Sequence, residues 1–219
     1  MSGTIYQGFG SPPDAPGLPA RIRRRARQKG ALVTKLTRPG LHVVNTHPVA
    51  NWDGDWSREN RFYPLHQAQL AVLARVVRAV AGPAVVCGDF NIDRGSSLFG
   101  EFMTGTGLAD AFKGNCPPTF RAEYLPAGRT PHCIDFILTA DGARAETATV
   151  VFAGKELLPG GPAYVSDHVG LRAALVLMAG NQPLALDRHA TEHVHVGGLA
   201  ARLDGNAVSA IPDTRQCPR

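Results

Sequence analysis

The run Val85-Val86-Cys87-Gly88-Asp89-Phe90-Asn91 constrains the fold more than any other stretch of the chain. A short apolar run of this kind reads as a buried strand, and it stops abruptly in glycine, a carboxylate, an aromatic and an amide. Asp89 and Asn91 stand on alternate residues, so they share a side if strand geometry continues past the glycine. Ligands of open α/β sheets collect at such strand ends. A carboxylate beside a carboxamide holds a hard cation, or a phosphate and the water that attacks it. The competing reading is a tight turn with the asparagine in a left-handed conformation.

The flanking sequence supplies the rest of a sheet. Ala31 to Leu36 and Leu41 to Asn45 read as two strands joined by a turn at Arg38-Pro39-Gly40. Pro64 suits the first turn of a helix, and Leu65, Val72, Leu73, Val76, Val77 and Val80 make an apolar stripe that Gly82-Pro83 ends. Ser96 or Ser97 caps a short helix running through Met103 and ending near Gly105 to Gly107. A Pro- and Gly-rich loop, Cys116 to Pro131, contains a short Thr119-Phe120-Arg121 segment. Further strands are expected at Cys133 to Thr139, Thr147 to Phe152 and Val169 to Met178. Strands alternating with helices argue for an α/β or α+β core. Residues 1–28 read as a loop-like or disordered basic segment, 29–178 as the folded domain, and 179–219 as a polar C-terminal extension.

A chain of 219 residues with 44% hydrophobic residues can bury a proper core as one domain. No apolar stretch is long enough to span a bilayer, and the N-terminus has no signal-peptide core, so a cytoplasmic location is expected. Cys87, Cys116, Cys133 and Cys217 form no Cys-x-x-Cys pair and are expected to be reduced and structural. The formal net charge of +5 is partly concentrated in Arg21, Arg23, Arg24, Arg25, Arg27 and Lys29. Such a run neutralises phosphates of nucleic acid or of an anionic membrane surface, or is simply solvated. No aromatic residues are interleaved with it, which weakens a single-strand-binding reading.

Three more polar clusters sit at strand ends. Asn45-Thr46-His47 closes the second strand; Asp135 interrupts the apolar run Ile134-Asp135-Phe136-Ile137-Leu138; and Ser166-Asp167-His168 precedes the last strand. A strand does not bury a charge such as Asp135 without a partner. Each cluster alone has a bland explanation as a loop or turn. With Asp89 and Asn91 they supply two histidines, three aspartates and two asparagines suited to one task.

These four blocks, in this order, resemble the endonuclease/exonuclease/phosphatase superfamily, and the helix carrying Gln69-Leu70 is similar as well. The resemblance covers roughly residues 29–178. It implies a four-layer sandwich of two packed mixed β-sheets flanked by helices, and a phosphodiesterase or phosphomonoesterase that uses Mg2+ or Mn2+. On that reading Asp89 orients or deprotonates the attacking water, and Asn91 donates to the phosphate or holds the nucleophile. His168 contacts the phosphate, Asp135 fixes its tautomer, and His47 stabilises developing charge or protonates the leaving oxygen. Asp167, with Asp89 and Asn91, supplies oxygen to the cation.

The sequence also departs from the family pattern. The upstream asparagine and the Gln-Glu pair whose glutamate holds the metal are missing; the only glutamate before the Asp89 block is Glu59, which follows Asn45-Thr46-His47. A late start, a degenerate site or completion by a partner chain each explain this, the first being favoured. The domain is then N-terminally incomplete, with an exposed apolar face, an unpaired edge and poor solubility. The alternative function is a catalytically impaired fragment or pseudoenzyme that binds anionic ligands.

For the substrate, the loop Asn51 to Phe62 borders the site, and its Trp52 and Trp56 insert into lipid, stack on a base or pack on the scaffold. Arg58 and Arg61 contact phosphate or pair with Asp55 and Glu59. Without a basic groove through the core, a smaller phosphodiester, lipid or nucleotide is favoured over long duplex DNA. In the tail, His189, His193 and His195 with Glu192 have zinc-like spacing, but Val194, Val196 and Gly197-Gly198 disfavour the helix it needs.

Overall fold

The computed structural model describes residues 3–11, 13 and 17–179, together with the strand backbones at 182–183 and 193–196. Its strands are β1 (Gly3–Gly8), β2 (Gly30–Leu36), β3 (Leu41–Thr46), β4 (Ala84–Asp89), β5 (Ala109–Asp110), β6 (Asp135–Ala140), β7 (Ala143–Val151), β8 (Glu156–Leu158), β9 (Gly161–Ala163), β10 (Gly170–Ala179), β11 (Gln182–Pro183) and β12 (His193–Val196). The helices are α1 (Ala20–Ala26), α2 (Tyr63–Ala79) and α3 (Ser97–Thr106). A six-stranded sheet has the order β1-β2-β3-β4-β6-β5, and β10 organises a second sheet by pairing with β7, β11 and β12.

The amphipathic stripe of α2 forms the crossover between β3 and β4, the parallel pair of the first sheet. Strands β4 and β6 are buried at five of six positions each, as a strand covered on both faces requires. One continuous core contains Leu70, Leu73 and Val77 of α2, Val85 and Val86 of β4, Phe136 and Leu138 of β6, and Leu171 and Leu177 of β10. Helices, first sheet and second sheet therefore share their apolar faces in a mixed α/β sandwich. Helix α3 starts at Ser96, whose Oγ accepts from the Phe99 amide, and stops at Gly107 in the left-handed region.

Two differences from the sequence reading concern the ends. Residues 3–28 are not loop throughout: β1 adds an antiparallel edge to β2, and α1 follows. Five of the six β1 residues are exposed, so the strand is held by backbone pairing and leaves no hydrophobic alternation to read. Helix α1 buries only Ile22 and Ala26, too few positions for a periodicity to show. At the other end, 193–196 is a strand paired with β10, which excludes a helical His-x-x-x-His arrangement there. His189, Glu192 and Cys217 lie outside the described residues. Cys87, Cys116 and Cys133 are buried free thiols, Cys133 just ahead of β6 rather than within it.

The β3–β4 contact depends on Gly88. Its φ is 139°, and a Cβ there would stand 2.0 Å from the Thr46 carbonyl oxygen. Gly88→Ala therefore forces the two strands apart at the point where both deliver their polar ends. We expect it to cost at least about 2 kcal/mol of unfolding free energy, measured by urea denaturation; an unchanged midpoint would show that the strands absorb the methyl group.

Candidate active site

Register places the polar strand ends side by side. Thr46 pairs with Gly88 between β3 and β4, and Asp89 pairs with Asp135 between β4 and β6. His47 is the next residue after β3, so the first sheet delivers His47, Asp89 and Asp135 at one end. The segment leading into β10 brings His168 to them from the second sheet.

Asp89 is the hub. Its Oδ2 lies 3.6 Å from His47 Nε2 and 4.0 Å from His168 Nε2. The strand geometry does not continue to Asn91, as the simplest sequence argument required. Asn91 adopts a φ of 54° and folds back on Asp89: its amide N–H donates to Oδ1 at 2.7 Å and its Nδ2 donates to Oδ2 at 3.0 Å. Asn91 Nδ2 also donates to the Pro48 carbonyl, and the Asn91 carbonyl accepts from Trp56 Nε1. Asn91 thus adopts the left-handed turn of the competing reading, and its donors lock the Asp89 carboxylate in orientation.

Asp135 is only 2% exposed, and its Oδ2 is 2.7 Å from His168 Nδ1. Its amide and that of Ile134 both donate to Thr119 Oγ1, a fully buried hydroxyl. Phe120 sets its ring edge-on against His168 and bridges to it through the backbone. Arg121, also buried, donates from Nε to the Ser166 carbonyl at 2.9 Å, from Nη1 to the Ala153 carbonyl at 2.8 Å and from Nη2 to the Phe152 carbonyl. The Thr119-Phe120-Arg121 segment therefore holds both Asp135 and the loop that carries His168. Sequence reasoning located the segment without assigning it this task; its mixture of hydroxyl, aromatic and cation in a Pro-rich loop was the available signal.

The electrostatics follow from this packing. Burial, joined by the Asp135 charge, pushes the Asp89 carboxyl up to about 7, against the pull of His168, the Asn91 amide and Lys29. Burial opposes charge on His168, but the hydrogen bond from Asp135 and the charges of Asp135, Asp89 and Asp167 outweigh it and raise its pKa to about 9. His47 moves the other way: desolvation of its inner edge, then the charges of Lys29 and His168, hold it below the ordinary histidine value. At neutral pH His168 is a cation, His47 is neutral, and Asp89 lies near its titration midpoint. A neutral His47 stabilises charge as a hydrogen-bond donor better than it protonates a leaving group, which narrows the role expected of it.

Asp167 stands beside His168, close enough for its charge to act on that ring, but outside the Asp89–His168–Asp135 contacts. It is exposed, its carboxylate accepts from Ser166 Oγ at 3.1 Å, and its carbonyl is held by the Arg121 amide. Among the described residues no three His, Cys, Asp or Glu side chains gather as a cation site. In this structure the Asp167 carboxylate accepts from its own serine and both Asp89 oxygens accept from Asn91.

The bordering loop is pinned by other partners than the sequence proposed. Arg61 pairs with Asp53 and Arg58 with Glu101. Trp56 packs against His132, which in turn pairs with Asp93, whereas Trp52 is 66% exposed. Val49, two residues past His47, has its N–H held by Gln69 Oε1 and its carbonyl by His66 Nε2, both from α2.

Known proteins share this fold. Humanized TDP2 from D. rerio matches with a TM-score of 0.54 at 15% identity, over 79% of this chain and 66% of that one. An endonuclease/exonuclease/phosphatase from Beutenbergia cavernae DSM 12333 gives 0.54 at 20% identity, over 81% and 45%. The human Nocturnin catalytic domain with bound sulfate gives 0.50 at 18% identity, over 81% and 59%. These likenesses share the fold, and the chain spans two thirds or less of the length of each. No curated protein sequence matches it significantly. The model of the Endonuclease/Exonuclease/phosphatase family matches residues 7–168, from β1 through the Ser166-Asp167-His168 block. The chain belongs to the endonuclease/exonuclease/phosphatase family.

Proposed function

We propose that the chain hydrolyses a phosphate ester at Asp89, with His168 as the fixed positive contact to the phosphoryl oxygens. The observation that carries this reading is the line Asp135–His168–Asp89. A buried carboxylate holds an imidazolium 4.0 Å from a second carboxylate that is itself near half-protonated at neutral pH. A water between Asp89 and the phosphorus gives its proton to Asp89 as its oxygen bonds phosphorus. The ester O–P bond breaks on the opposite side, and the leaving oxygen takes a proton from bulk water. His168 and the neutral His47 donate hydrogen bonds to the charge that develops on the phosphoryl oxygens. Asn91 keeps the Asp89 carboxylate aimed throughout.

Divalent-ion dependence is an expectation from the family, and among the described residues no three His, Cys, Asp or Glu side chains form a cluster for the ion. That mismatch favours a second reading, a catalytically impaired member that binds phosphate esters at His168 without turning them over. Hydrolysis of bis-p-nitrophenyl phosphate, assayed with Mg2+, with Mn2+ and with chelator, separates the two. Asp89→Asn should lower kcat by about 10²–10⁴-fold. Equal activity in that variant overturns the mechanism, and absence of turnover under every condition establishes the second reading.

The pH profile carries its own signs. Asp89 must be unprotonated to act, so kcat/KM should rise as pH passes about 7. His168 must be protonated, so the rate should fall as pH passes about 9. Asp135→Asn removes the bond and the charge that raise the His168 pKa, so the alkaline limb should move to lower pH. Titration of the His168 ring protons by NMR should show the same downward move; an unchanged His168 titration would dissociate it from Asp135.

A further inference from the structure

The basic run of the sequence does not stand away from the site. Helix α1 buries Ile22 and Ala26 in a small core with Val49, Phe62 and Leu65, so it packs directly over the segment that follows His47. Its outward residues Arg21, Arg24 and Arg25, with Arg27 just beyond it, are exposed. None of them is in an ion pair among the described residues. Lys29 follows at the start of β2, where Ala31 pairs with Thr46 and Thr46 with Gly88. Lys29 therefore stands at the same sheet end as His47 and Asp89, half-buried, within reach of the Asp89 charge on one side and of Arg25 on the other. Lys29 and the exposed arginines thus put cations on the helix that packs beside the site.

The fold also supplies an aromatic that the linear sequence keeps apart from these cations. Arg61 chelates Asp53, with Nε at 2.8 Å and Nη2 at 2.7 Å, and its Nη1 reaches the carbonyl of Gly17, three residues before α1. The residue after Trp52 is thereby tied through Arg61 to the chain just before the basic helix, and Trp52 itself has two thirds of its surface open.

We propose that the arginine face of α1, continued by Lys29 and flanked by Trp52, is a docking surface for single-stranded nucleic acid that leads its backbone into the Asp89–His168 site. This rests on the phosphoesterase reading and names its substrate class. Successive phosphates along a strand match a line of cations, and a base stacks on an exposed indole. An anionic membrane is the weaker occupant, because the apolar side of α1 is already buried in the protein and cannot enter a bilayer. The lean toward small esters rested on the lack of a basic groove through the core; the exposed arginines of α1 supply cations outside that core.

The test is fluorescence anisotropy of the full chain with labelled oligothymidylate across a potassium chloride series. The triple variant Arg21→Ala, Arg24→Ala, Arg25→Ala should weaken binding at least tenfold and reduce the log–log salt slope by about 2, the loss of three single-strand phosphate contacts. Its hydrolysis of bis-p-nitrophenyl phosphate should stay at the wild-type level, since these arginines do not touch the reacting atoms. Trp52→Ala should weaken binding without changing the salt slope. Equal affinity of the triple variant and wild type overturns the proposal, as does sedimentation with phosphatidylserine vesicles by a chain that does not bind the oligonucleotide. Salt-sensitive, arginine-dependent binding in a chain that hydrolyses nothing leaves the docking surface standing and removes the phosphoesterase reading instead.

Discussion

The bond between Asp135 and His168 ties the site together, and much of the surrounding structure serves it. Asp135 opens β6 in the middle of the first sheet and is almost wholly removed from water. An ionised carboxylate in that position requires a cation or several donors. His168 meets the requirement from across the sandwich, on the segment entering β10. The pairing raises the histidine's affinity for its proton and so fixes a positive charge beside Asp89. Removing either partner strands the other in a low-dielectric environment. Thr119 and Arg121 hold the two chain segments that must meet, which explains why a loop rich in proline and glycine is buried at those positions.

Opposite shifts at neighbouring groups give the site its chemical character. Asp89 and His168 hold their protons more tightly than in water, and His47 holds its proton less tightly. With both histidines within 4.0 Å of Asp89, these three titratable side chains would otherwise compete for the same proton. Their separation comes from position: Asp89 lies deep and next to another carboxylate, His168 lies between two carboxylates, and His47 faces Lys29 and His168. The Lys29 charge also favours the ionised form of Asp89, so positive charge reaches that carboxylate from both His168 and Lys29.

Much of this was readable in the residues. Strands β2, β3, β4, β6 and β10 and helices α2 and α3 announce themselves because both-face burial produces apolar runs and one-face burial produces stripes. His47, Asp89, Asn91, Asp135 and His168 stand out because polar groups at the ends of apolar strands are costly unless used. Strand β1 left no such mark, since a strand with exposed side chains is held by its backbone alone. Lys29 was hidden inside a run of arginines, where nothing local distinguishes the one cation that reaches the sheet end. Arg121 acts only through carbonyls more than thirty residues away, a relation absent from any local pattern. The placement of Asp167 depends on the rotation of one loop, which spacing does not encode.

The clamp on Val49 has a consequence for how such a scaffold diversifies. Gln69 and His66 take both backbone polar groups of that residue, so the strand end bearing His47 is fastened to the body of α2. The stretch from Asn51 to Arg61 begins just after this anchor and is itself held by side chains, Arg61 and Arg129, that meet it at Asp53. One residue of the stretch limits how freely it can be exchanged: Trp56 donates from Nε1 to the Asn91 carbonyl, so its loss would disturb the turn that aims the Asp89 carboxylate.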